Sequence, residues 1–243
     1  MSCPITNEMM IGFNGIGDSH SHHSEINNKV ECTGFLFAFY KFSHLSNATI
    51  IERMVRMATA SDTIHVAILP VPRCILINNI IGNINDHSSI ENIFDVHGLE
   101  VEDTTYSSFI GAGFLKQNAS TVLNHKYEFL FVPVEPQKYA LGLNFLNSLD
   151  GTKYNYWALP LTVLPNSLKP QINNKNNQDG NETNHPSRVF CSQVGLMLCY
   201  KCEVLNPHGM APACCAPGEL SEILKSQAGG VPCQRNLISV LIS

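Results

Sequence analysis

Alternation and helical spacing divide the chain into a short series of elements. "TGFLFAFYKF" (residues 33–42) is apolar on both faces and rich in aromatics, the pattern of a buried strand. Residues 47–59, "NATIIERMVRMAT", carry Ile50, Ile51, Met54, Val55 and Ala58 at helical spacing, with Asn47 or Thr49 placed to cap the helix. In "TIHVAILPV" (63–71), Ile64, Val66 and Ile68 fall on one face of a strand and His65, Ala67 and Leu69 on the other. A turn at Pro72 is expected next, followed by a second strand in "RCILINNIIG". "NIFDVHGLEVED" (92–103) reads as a strand, a glycine turn and a short strand.

Further on, "HKYEFLFVPVE" (125–135) is a strong strand, and "PQKYALGLNFLNSL" (136–149) is an amphipathic helix. Pro136 suits its first turn, and Tyr139, Leu143 and Leu146 share a face. Residues 166–187 are polar and Asn-rich, as in a surface insertion. A buried helix is then expected from Cys191 to about residue 203, with another at "APGELSEIL" and a short apolar tail. The order is α+β. It suggests a loose polar leader over 1–30 and one domain over 31–243, with no internal repeat.

Composition narrows the function classes. With 44% hydrophobic residues the chain can bury a core. A net charge of −5, with no basic run, argues against nucleic acid. The longest apolar runs, "GFLFAFY" and "NLISVLIS", fall far short of the roughly 20 residues a membrane span needs. The start "MSCPITNEMM" lacks a secretory pattern, and nine cysteines form no evident disulfide framework. A cytoplasmic, reducing setting with free thiols is therefore expected. The oligomeric state is not legible.

No metal or cofactor is expected either. "GDSHSHHSE" has the composition of a solvated tail. Cys199 and Cys202 form one C-x-x-C pair, which the adjacent Cys214 and Cys215 do not complete at a usual zinc spacing.

The candidate chemistry lies in "SRVFCSQVGLMLCY". Cys191 follows a strand-like run and opens a helix, where unpaired N–H groups and the helix dipole favour thiolate and would hold an oxyanion. Such a position alone is ordinary packing; a base is needed. His65, held within a strong strand, is the histidine best placed to be one. Asp95, on the strand expected beside it, is the first choice to orient the imidazole, with His97, Glu100 and Asn78 as alternatives.

These segments together resemble the circularly permuted branch of the papain-like NlpC superfamily. "TGFLFAFYKFSH" and "TIHVAIL" resemble its opening strand and its histidine strand. "IENIFDVHGLEVED" is similar to its "vyEa" element, "KYNYWALP" to its "YdY" box, "RVFCSQVGLMLCY" to its nucleophile box, and "APGELSEIL" to its "sPgdL" piece. The resemblance spans residues 33–224. It implies an antiparallel sheet or small barrel packed against helices, including the nucleophile helix, and a cysteine hydrolase or lipid acyltransferase. Cys191 would be the nucleophile, His65 the base and Asp95 the orienting residue, with Ser192, Tyr154 and Tyr156 about the oxyanion site. A peptide or an acyl lipid would be the substrate. A non-catalytic binding module derived from the same fold is the alternative. The strand start reads "CTGFLF" where the family has "GD", and Asp stands where the family has Glu. Members of the branch occur in bacteria, eukaryotes and large DNA viruses, and the Asn-rich chain with its insertion suits the last.

Overall fold

The aromatic-rich segment is the centre of the molecule. In the computed structural model, which describes residues 28–44, 49–59, 61–81, 91–164, 168–169, 186–206 and 210–241, it forms β1 (Asn28–Lys41). β1 lies antiparallel between β2 (Thr63–Ile81) and β6 (Tyr127–Val134). Both of its faces are covered, which is why it is apolar at successive positions. Phe35, Phe37 and Phe39 enter one core, while Leu36 and Ala38 enter another on the opposite side. Burying each of these phenylalanines contributes about 2–3 kcal/mol.

The remaining strands are β3 (Glu91–Glu102), β4 (Thr104–Phe109), β5 (Gly113–Asn118), β9 (Val231–Cys233) and β10 (Ile238–Leu241). The sheet runs β10-β3-β2-β1-β6-β9, with the β4–β5 hairpin attached to β2. Every pair is antiparallel except β10 with β3. A separate two-stranded parallel sheet joins β7 (Lys153–Tyr154) to β8 (Arg188–Val189). The helices are α1 (Ile50–Thr59), α2 (Pro136–Ser148), α3 (Leu159–Thr162), α4 (Cys191–Lys201) and α5 (Pro217–Gln227). α2, α4 and α5 cover the face of Phe35 and Phe37, so the class is α+β with an antiparallel sheet, as expected.

Several expectations change in detail. β2 continues through Pro72 instead of turning there. Pro72 and Arg73 stand opposite the single residue Thr33, between the pairs Cys32–Cys74 and Gly34–Val71. Such a bulge accepts a residue that has no N–H to give the ladder. Likewise Gly98 is not a turn between two strands. It is the extra residue of a bulge in β3, with φ +72° between the pairs Leu99–Cys74 and His97–Ile75. The hydropathy pattern predicts no element over 104–124, yet β4 and β5 form a hairpin there. Its central residues Thr105, Ser107 and Ser108 are polar and buried, which hides the strand signature.

Thr49 caps α1. Its N–H donates to Glu52 Oε2 at 2.7 Å, and Glu52 N–H donates back to Thr49 Oγ1 at 3.2 Å. Asn47, the other cap expected, lies outside the described residues, as do leader residues 1–27 and most of the polar insertion. Within that insertion Lys169 is buried and ion-paired to Glu219 of α5, so this part is anchored to the domain. The apolar tail forms β9 and β10. Among the described residues no helix is long and apolar enough to cross a membrane.

Candidate active site

Two short strands deliver the cysteine. Pairing of Tyr154 with Val189 sets β7 beside β8, and Val189 C=O accepts from Asn155 N–H at 3.0 Å and from Ser108 Oγ at 2.8 Å. The chain thus enters α4 along a fixed path. Phe190 is its N-cap, extended at φ −125° and ψ 169°, and has no side-chain acceptor to offer. The first-turn N–H donors of α4 are therefore left uncapped by that side chain. Cys191, the first helical residue, is buried.

Two influences oppose each other at its sulfur. Burial raises the thiol pKa to about 11 and outweighs the backbone N–H groups of Val66, Ser192 and Cys191 itself and the Ser192 side chain, which favour thiolate. The expectation that the helix start would lower this pKa is therefore corrected: desolvation wins, and the group at neutral pH is the thiol. The Val66 contribution ties the sulfur to β2, one residue from the candidate base. Tyr154 and Tyr127 also lie within electrostatic reach of Cys191; burial first, then that proximity among other charges, raises both phenols, Tyr127 to about 12.

His65 is half-buried, with its ring 4.7 Å from that of Phe109. Ser107 Oγ lies 2.8 Å from its Nε2 and also donates to Val66 C=O at 2.7 Å. A hydroxyl has one proton. With that proton committed to the carbonyl, Ser107 accepts from Nε2–H, and Nδ1 is left as the basic nitrogen. Burial lowers the imidazole pKa to about 4, so the ring is neutral at pH 7. Among the described residues no hydrogen bond joins Cys191 Sγ to either nitrogen of His65. The two instead line one crevice of about 420 Å³, together with Glu52, Phe109, Tyr127 and Tyr154. A second crevice of about 330 Å³, near His125 and Arg235, includes neither residue.

The other expected site residues are distributed differently. Asp95 pairs with Ile77, twelve residues along β2 from His65, a contour of roughly 40 Å. β3 flanks the far half of β2, whereas β4 flanks the half that carries His65. Asp95 is therefore removed as the orienting residue, and Ser107 stands in that place. Its alternatives lie in the same far region: His97 opposite Ile75, Asn78 opposite Phe94, and Glu100 opposite Arg73, to which it is also ion-paired. Ser192 is fully buried and its hydroxyl donates to Cys215 C=O at 2.7 Å, while both its N–H and its side chain also act on the Cys191 sulfur. Tyr156 is half-exposed and its hydroxyl accepts from Gly111 N–H at 2.7 Å, so of the two tyrosines only Tyr154 lines the crevice. Cys199 and Cys202 are buried between helices, and all eight cysteines among the described residues are free thiols.

Ser107 carries no prominent sequence signal. It sits in "TTYSSF", where its only hint is a pair of serines in a run that alternates with aromatics. No family model matches this chain, and neither a curated protein nor a solved structure matches it.

Proposed function

We propose that the protein is a cysteine hydrolase or acyltransferase with a circularly permuted papain-like fold, acting on an amide or ester carbonyl. One observation carries the reading: a thiol at the uncapped start of α4 opens onto the same crevice as a histidine whose Nε2 is held by Ser107. In the proposed reaction, the Cys191 thiol gives its proton to His65 Nδ1 as sulfur attacks the carbonyl carbon. The first-turn N–H groups of α4 receive the oxyanion. Collapse breaks the bond to the leaving group, which takes the proton from the imidazolium, and leaves a thioester on Cys191. Water, or another acceptor in a transferase, then attacks the thioester with His65 again as base. The neutral thiol and neutral imidazole mean that proton transfer accompanies attack and no ion pair precedes it. The pair must close to hydrogen-bond distance when substrate enters.

A peptide and an acyl lipid are both admitted as substrates. Intact-mass analysis after incubation with mixed phospholipids and peptides tests the reading. An acyl adduct on Cys191, absent from Cys191→Ala, is expected, and its mass identifies the substrate class. An adduct that persists in Cys191→Ala contradicts the reading.

The missing hydrogen bond between Cys191 and His65 favours a second reading, a binding module that retains the fold without catalysis. That module would bind ligand in the crevice equally well with Cys191→Ala and form no adduct in the parent.

A further inference from the structure

We propose that the mouth of the Cys191 crevice is a docking surface for an anionic lipid bilayer. Three elements form the mouth: α1, the turn between β4 and β5, and residues 156–163. Thr49 at the cap of α1 and Glu52 and Thr59 within it line the crevice, as do Ile110 of the turn and Leu159 and Thr162 of α3. Glu52 and Thr59 of α1 thus line the crevice, while Ile50 and Met57, one heptad apart on the same helix, are 77% and 83% exposed. Trp157 is 80% exposed, and Ile110 and Val163 are also uncovered. Leu141, Leu168 and Leu241 aside, every exposed large apolar side chain among the described residues belongs to these three elements.

Charge selects the occupant. The chain is acidic overall, yet the outward charges on α1 are Arg53 and Arg56, both exposed, with Arg56 stacked 4.5 Å over the Phe42 ring. The acidic residue of the helix, Glu52, is turned back into the Thr49 cap. Apolar side chains exposed on three elements that border the crevice, with two exposed arginines and an exposed tryptophan, match a headgroup–acyl boundary. A helical or extended peptide would instead need a continuous groove. Docking here would set the crevice against the lipid surface. It does not depend on Cys191 being reactive.

Trp157 is the chain's one tryptophan, so its emission reports this surface alone. The experiment compares vesicles of phosphatidylcholine with vesicles that also contain phosphatidylserine, reading emission and co-sedimentation. Emission is expected to move to shorter wavelength on the mixed vesicles and the protein to pellet with them. The pair Ile50→Glu with Met57→Glu should abolish both effects, with thermal unfolding unchanged because these side chains are exposed. Reversing Arg53 and Arg56 to Glu should weaken binding to the anionic vesicles by at least about tenfold and affect neutral ones little. Cys191→Ala should bind as the parent does, which separates this proposal from the catalytic one. Unchanged emission with protein left in the supernatant overturns it. So does binding that ignores the Ile50/Met57 pair, or a Trp157 already shielded from a water-soluble quencher without vesicles, which would mean that another part of the chain or a second copy covers the mouth.

Discussion

Ser107 and Ser108, neighbours on β4, brace the candidate base and the strand that leads to the candidate nucleophile respectively. Ser107 holds His65 Nε2 and Val66 C=O, while Ser108 donates to Val189 C=O, two residues before Cys191. Successive side chains of a strand point to opposite faces, so one short strand can fix β2 with one residue and β8 with the next. The buried polar run that conceals β4 in the sequence is thus what registers the two halves of the candidate site.

Ser107→Ala should slow acylation of Cys191 by about tenfold to a hundredfold, because an unheld imidazole loses its tautomer preference. A purely structural role would leave the ring's protonation pattern alone. Nitrogen NMR of His65 should therefore show a protonated Nε2 in the parent and a tautomer mixture in the variant. Ser107→Thr should retain most of the rate, and Asp95→Asn should match the parent.

With its pKa raised to about 11 by burial, Cys191 should alkylate slowly at neutral pH. Its rate with iodoacetamide should climb roughly tenfold per pH unit between pH 7 and 10 as thiolate forms. A plateau already reached below pH 7 would indicate a preformed ion pair and contradict the neutral resting state.

His65 also makes stability depend on pH. Its folded pKa is lowered to about 4 from an ordinary value of 6.5, so between these values the unfolded chain binds more protons. The stabilisation is complete above pH 6.5 and is lost as pH falls toward 4, up to about 3 kcal/mol in all. Urea unfolding at pH 7 and pH 4.5 should show a loss that is smaller in His65→Gln.

Gly142 probes the helical layer independently of the site. A Cβ there would lie 2.6 Å from Cys202 Sγ, 2.7 Å from Phe35 Cζ and 2.9 Å from Leu198 Cδ1. Gly-to-Ala in a helix is normally stabilising by roughly 0.5–1 kcal/mol. Here overpacking should reverse the sign, and Gly142→Ala should cost about 1–3 kcal/mol in chemical denaturation. A stabilised variant would mean that α2 does not meet α4 and β1 so closely.

Elements with strong apolar periodicity were the legible ones. β1, β6, α2 and α4 follow from runs such as "GFLFAFY" and "YEFLFVPV", because a side chain's burial is encoded in its own chemistry. Cys191 and His65 could be picked out for the same local reasons, one opening a helix and the other inside a strand. The hydrogen-bond partner of the imidazole could not. Which strand flanks each half of β2 is decided by a bulge at Pro72 and by the β4–β5 hairpin, and neither is marked by hydropathy. The thiol's raised pKa was equally hidden, since helix position is local while desolvation depends on what packs above it.

The most direct measurement is the rate at which an activated acyl ester modifies Cys191 at neutral pH, followed by intact mass in the parent and in His65→Ala. The account predicts a single adduct on Cys191 that forms about a hundredfold more slowly, or slower still, without the imidazole. Equal rates in the two proteins, or preferential modification of another cysteine, would contradict it.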